Sequence, residues 1–201
     1  PETVPEYANL AQPTRRRIRK LRKSVRKRRE IIDRDTVWEG KREALWELFQ
    51  TGRRPARQVS LDGFRRRGGS ALRDFAVWSV LSEIYGNDWR LWPEELRDPR
   101  SAATEKFAVT QAERVEFFEW LQWAAQQQLS AAQTAAEEAG MGVGVLADLA
   151  VGVGKASAET WLMGDVYAPG ITVGAPPDQY NQGGQDWGQP PWNPLKLEEL
   201  E

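Results

Sequence analysis

The chain has 201 residues, 40% apolar and 28% charged, which suits one core-bearing soluble domain and leaves no run near the roughly 20 apolar residues of a membrane helix. It has no cysteine and no histidine, which excludes disulfides, thiolate nucleophiles, imidazole acid–base chemistry and the usual zinc and iron sites; no metal and no cofactor are expected. The formal net charge of −1 hides an asymmetry: residues 15–29 hold 11 of the 28 basic side chains and no acidic one, leaving 17 basic against 29 acidic elsewhere, a balance of −12.

Residues 1–13 carry Pro5 and Pro13 without any period and read as an arm or linker. From Thr14, Ile18, Leu21, Val25 and Ile32 form one apolar stripe on a cationic helix over 14–32. Asp35 or Thr36 is placed to cap a second helix through Phe49, with Gly52 as its stop. Residues 51–69 mix Gly, Pro and Arg and read as a connector with at most one helical turn. Ser70 then caps a third helix ending at Gly86, and Trp89, Leu91, Trp92 and Pro93 carry the chain out of it.

Thr110 and Glu113 have the spacing of a capping box and predict the longest helix, running to Gly140. Met141–Val153 is apolar at both alternating sets of positions and rich in valine, the pattern of a parallel strand covered on two faces. A short helix near Ala156–Leu162 and a strand at Ile171–Val173 would complete a βα unit. Residues 174–194 are dense in Pro, Gly, Asn and Gln, yet hold Tyr180, Gln185, Trp187 and Trp192, a composition that can form a shaped binding loop.

Three segments carry a resemblance: GSALRDFAVWSVLSEIYGNDWRLWPEELRDP, WLQWAAQQQLSAAQTAAEEAGMGVGVLADLAVGV and GAPPDQYNQGGQDWGQPPWNP. They are similar to the amylomaltase or 4-α-glucanotransferase (disproportionating enzyme) family from about Arg34 to Leu197. The resemblance implies a mostly α chain with a small β part: a helical insertion at 14–109, and at 110–201 part of a (β/α)₈ TIM-like barrel with a substrate loop at 174–194. It implies a retaining transglycosylase acting on α-1,4-glucans and maltooligosaccharides, whose two carboxyl groups stand roughly 5 Å apart. In the family those groups follow the loop, so no catalytic residue is expected in this chain, which reads as an inactive internal piece of a longer, cytoplasmic enzyme.

Of the residues in hand, the resemblance puts Asp148 on the active-site floor, where barrel enzymes place functional groups at strand ends. It puts Asp178, Tyr180, Gln185 and Trp187 in the loop over the acceptor side of the cleft. Trp187 would stack on a glucose face, Gln185 would bond hydroxyls, Tyr180 would form a second wall, and Asp178 would hold loop amides or sugar. The bland alternatives are a capping role for Asp148 and an anchoring role for the loop indoles, the latter favoured for Trp192. The aromatic spacing of Trp120 and Trp123 is that of core packing, and Trp38, Trp46, Trp78, Trp89 and Trp92 are assigned to packing as well.

Two other functions compete: a glucan-binding module without chemistry, and a nucleic-acid binder built on residues 15–29. The acidic remainder favours a basic helix paired with its own neighbours, so nucleic acid is not the expected partner. Barrel edges left uncovered would favour self-association.

Overall fold

The computed structural model describes residues 1–27 and 33–199. Seven α-helices among them are α1 (Gln12–Lys27), α2 (Arg34–Gln50), α3 (Pro55–Tyr85), α4 (Ala102–Thr110), α5 (Ala112–Glu138), α6 (Ala158–Leu162) and α7 (Pro194–Glu198). The two strands, β1 (Val173–Ala175) and β2 (Gln185–Gln189), pair antiparallel. The chain is thus mostly helical with a small β part, and the described residues form no barrel. No helix among them is long and apolar enough to cross a membrane.

The residues form two compact units, 1–68 with 119–144 and 69–118 with 145–201. In the first, α1 turns Ile18 into the core and leaves Arg16, Arg17, Arg19 and Arg22 exposed; Arg17 pairs with Glu47 and Arg22 bonds Glu2 at 2.6 Å. Gly40 is where α2 meets Leu21 so closely that a Cβ would collide with its methyl groups. Asp33 caps α2 by accepting from the Thr36 amide at 3.1 Å and the Thr36 hydroxyl at 2.8 Å, ahead of Asp35 and Thr36, the caps expected from sequence. Phe49 stacks on Trp46 and meets Trp120, with ring centroids 5.5 and 5.9 Å apart. Glu6 is buried on the Arg57 guanidinium, 2.5 and 3.1 Å away, and that guanidinium lies 4.3 Å over the Trp123 ring.

The second unit is organised by two buried tryptophans in edge-to-face contact, Trp92 and Trp161, 5.7 Å apart. Each indole N–H finds a carbonyl: Trp92 donates to Gly86 at 2.8 Å and Trp161 to Leu96 at 3.2 Å. Arg97 returns a bond to the Trp92 carbonyl at 2.8 Å, so the turn after α3 is tied down from both sides. Glu83 and Arg114 add a two-bond ion pair, both contacts 2.7 Å.

Several elements depart from the sequence expectations. Residues 55–68, read as connector, are helical, because arginines are good helix formers and Gly63 is tolerated within the run. The break comes at Gly69, whose φ of 52° and ψ of −141° interrupt α3 immediately before Ser70. Thr110 makes no capping box: it ends α4, and its hydroxyl donates to the Lys106 carbonyl at 2.8 Å. Ser101 opens that helix, which periodicity did not show, by accepting from the Thr104 amide at 3.1 Å.

The expected parallel strand over Met141–Val153 is not formed. The segment is irregular, and Leu146, Leu149 and Val151 are 81%, 92% and 81% exposed. A doubly covered strand requires neighbours on both edges and both faces, and no described strand pairs with it. The expected βα unit is replaced by the β1–β2 hairpin. Trp38, assigned to packing, is 45% exposed, whereas Trp120, Trp123 and Trp92 are buried as expected. Residues 28–32 of the expected first helix lie outside the described residues.

Candidate substrate-binding site

The loop at 174–194 is built on the hairpin. β1 meets β2 with Gly174 opposite Asp186 and Ala175 opposite Gln185. Only glycine fits at 174, since a Cβ there would run into the Gln185 carbonyl. Gly184, at φ +72°, closes the loop where a Cβ would stand 2.9 Å from the Ala175 carbonyl.

Between the strands, Asp178 organises the turn. One of its carboxylate oxygens accepts from the amides of Tyr180 and Asn181, both at 2.7 Å, and its own amide donates to the Asn181 carbonyl at 3.1 Å. The Asn181 amide bond, followed by that from Tyr180, holds the Asp178 carboxyl below the ordinary aspartate range. Asp178 therefore acts on loop amides, one of the two roles considered for it. Tyr180, next in the turn, is 84% exposed.

Gln185 and Trp187 are two residues apart on β2 and lie on one side of the strand. The Trp187 indole N–H donates to the Gln185 side-chain oxygen at 3.1 Å, while the Trp187 residue stays 45% exposed. An indole held by its one donor at an exposed edge presents an apolar face to solvent, and the Gln185 amide N–H₂ remains a donor beside it. Asp186, between them, bonds the Thr172 side chain and accepts from the Gly188 amide at 2.8 Å; the Thr172 bond first, then the amide, lowers its pKa. Trp192 stacks on Tyr167 at 4.7 Å, with a β-bridge between the same two residues and the Asn193 amide on the Val166 carbonyl at 2.8 Å.

The structure thus brings Gln185 and Trp187 together and shapes the turn holding Tyr180 through Asp178. Asp148 is exposed in the irregular segment, and no hydrogen bond or ion pair among the described residues joins it to the loop. Sequence reasoning passed over Asp186 and Thr172, whose signal was a carboxylate alternating with Gln185 and Trp187 along a strand. Among the described residues no group of acidic side chains is placed to hold a metal ion.

An exposed aromatic hairpin with fixed carboxylates and amides has the chemistry to hold a polyhydroxylated ring. The chain belongs to the 4-alpha-glucanotransferase family, glycoside hydrolase family 77, whose model matches residues 3–201. It is 45% identical over 203 aligned positions to the 4-alpha-glucanotransferase of Mycobacterium tuberculosis, which covers all of this chain and 28% of that protein. The crystal structure of amylomaltase from Corynebacterium glutamicum superposes with a TM-score of 0.82 at 36% identity, covering 99% of this chain and 27% of the other. An amylomaltase from Streptococcus agalactiae in complex with acarbose shares the fold, with a TM-score of 0.75 at 20% identity over 85% of this chain and 36% of its own. The chain spans little more than a quarter of the length of the curated mycobacterial relatives it matches.

Proposed function

We propose that this chain is the glucan-handling part of a retaining 4-α-glucanotransferase that transfers α-1,4-linked segments between maltooligosaccharides. The observation that carries the reading is the hairpin in which Trp187 is half exposed and tethered through Gln185. Trp187 stacks on a sugar face, Gln185 bonds hydroxyls, Tyr180 walls the subsite, and Asp178 keeps the loop in shape. A fixed indole loses little freedom on binding, so more of the stacking energy reaches affinity.

No residue of this chain is assigned as nucleophile or acid/base, and the chain by itself is inactive. In the whole enzyme, residues 1–13 form an arm, 14–109 a helical insertion, and 110–201 part of a (β/α)₈ barrel. Met141–Val153 becomes a barrel strand once neighbouring strands cover its valines and leucines, which carries Asp148 to the strand end and the active-site floor. The enzyme works in the cytoplasm on α-1,4-glucans, and the uncovered apolar segment makes the separate chain prone to self-association.

The test is disproportionation of maltotriose by the full-length enzyme containing this sequence, with acceptor varied at fixed donor. Trp187→Ala should raise the acceptor KM, and Asp148→Asn should lower kcat with little change in KM, as for an interaction felt mainly in the transition state. Wild-type kinetics in both variants would overturn the site assignment.

A further inference from the structure

A cleft of about 400 Å³ opens in the second unit, within the size range of small-molecule sites. It is lined by none of the five residues assigned to glucan above. The Trp89 indole forms one wall and is locked by donation to the Thr160 hydroxyl at 3.1 Å. Pro169, Ile171 and Pro190 supply apolar rim, Ile171 being 59% exposed. Tyr167 is part of the lining; it is buried, its hydroxyl has no hydrogen-bond partner among the described residues, and burial pushes the phenol up. A buried hydroxyl without a partner is costly unless a water or ligand supplies one.

The charges around the cleft do not favour an anion. Arg90 lies in it but is committed to Asp88 through two bonds of 2.8 and 2.7 Å, which also pull the Asp88 carboxyl down. Lys155 is felt by Asp186, and Glu159 by Tyr167. Two cations among three neighbouring carboxylates leave the surroundings net negative, which does not select an anion. A locked aromatic wall, apolar rim and hydroxyl or amine donors do suit a neutral ring with one C–H face and several hydroxyls.

We infer that the cleft between Trp89, Lys155 and Tyr167 binds a neutral glucosyl unit of an α-glucan chain. The choice of glucan rests on the transferase reading; the cleft and its charges do not. The indole and the prolines cover the C–H face of the ring, and Tyr167, Lys155 and Thr172 meet its hydroxyls.

The experiment titrates maltotriose into the 201-residue chain and follows indole N–H resonances, with inorganic phosphate and glucose 6-phosphate as further probes. Binding should move the Trp89 resonance. Tyr167→Phe should weaken it at least fivefold at an unchanged or higher melting temperature, since the lost hydroxyl has no partner to forfeit. Ile171→Arg, at an exposed rim position, should abolish it by filling the mouth. The Trp89 shift should persist in Trp187→Ala, whatever affinity the hairpin itself loses. Wild-type affinity in both cleft variants, no shift of Trp89 at saturating maltotriose, or tighter binding of either phosphate would overturn the proposal. Loss of the Trp89 shift in Trp187→Ala, with the shift kept in both cleft variants, would overturn the cleft and leave the loop reading standing. Loss in the cleft variants alone would support the cleft whatever becomes of the loop.

Discussion

Two aromatic regions of the second unit use the same residue type to opposite ends. Around α6, Trp92 and Trp161 are sealed in edge-to-face contact with each N–H on a backbone carbonyl. On the hairpin, Trp187 shares its N–H with a neighbouring side chain and stays open. The difference follows from the surroundings: helical turns supply enough apolar surface to enclose an indole, while a three-residue strand paired with a five-residue one cannot. Satisfying the N–H inside the core fixes a structure; satisfying it at an exposed edge fixes a surface.

The largest effect is expected at the core. Trp92→Ala should lower the unfolding free energy by about 3–5 kcal/mol, the range for large buried aromatics, as read by chemical denaturation. Trp187→Ala should change it by no more than ~0.5 kcal/mol, as for exposed positions, while removing glucan-dependent changes in tryptophan fluorescence. A large stability loss in the second variant would make the hairpin indole an anchor.

Acid sharpens the contrast within the loop. The folded Asp178 carboxyl titrates below its unfolded value, near 3.9, so its support of the turn is complete above that value. That support fades as pH falls through the lower folded value. Amide exchange at Tyr180 and Asn181, corrected for the intrinsic rate, should therefore accelerate as pH drops below about 4, and Asp178→Asn should remove the dependence. Exchange indifferent to pH in this window would mean that the carboxylate does not hold the turn.

The smallest effect concerns the basic run. Arg17 and Arg22 already pair with Glu47 and Glu2, so binding to generic duplex DNA at physiological salt should be weaker than micromolar. Submicromolar affinity lost on replacing Arg15–Arg17 by glutamine would reverse that expectation.

The helices were legible in sequence where apolar period and a stop coincided, as in α2 and in α5 up to Gly140. Ser70 marked the right place for the wrong reason, since the chain is helical on both sides of Gly69 and breaks only at that left-handed residue. Thr110–Glu113 has capping-box spacing, but the preceding turn is already helical, so the threonine hydroxyl bonds back to Lys106. Met141–Val153 shows the limit of pattern reading: its composition describes a strand's requirements, and the neighbours that would meet them lie outside the segment. The loop was legible because Tyr180, Gln185 and Trp187 lie close together in one short stretch of sequence. The Trp89–Tyr167 cleft was not, because its walls come from positions scattered between 89 and 190.

Whether the hairpin indole is a sugar platform can be read by saturating the full-length enzyme with maltoheptaose and recording indole N–H resonances. The Trp187 signal should shift while those of Trp92 and Trp161 stay in place, and Gln185→Ala, which frees the indole, should reduce affinity. A Trp187 signal unmoved at saturation would contradict it.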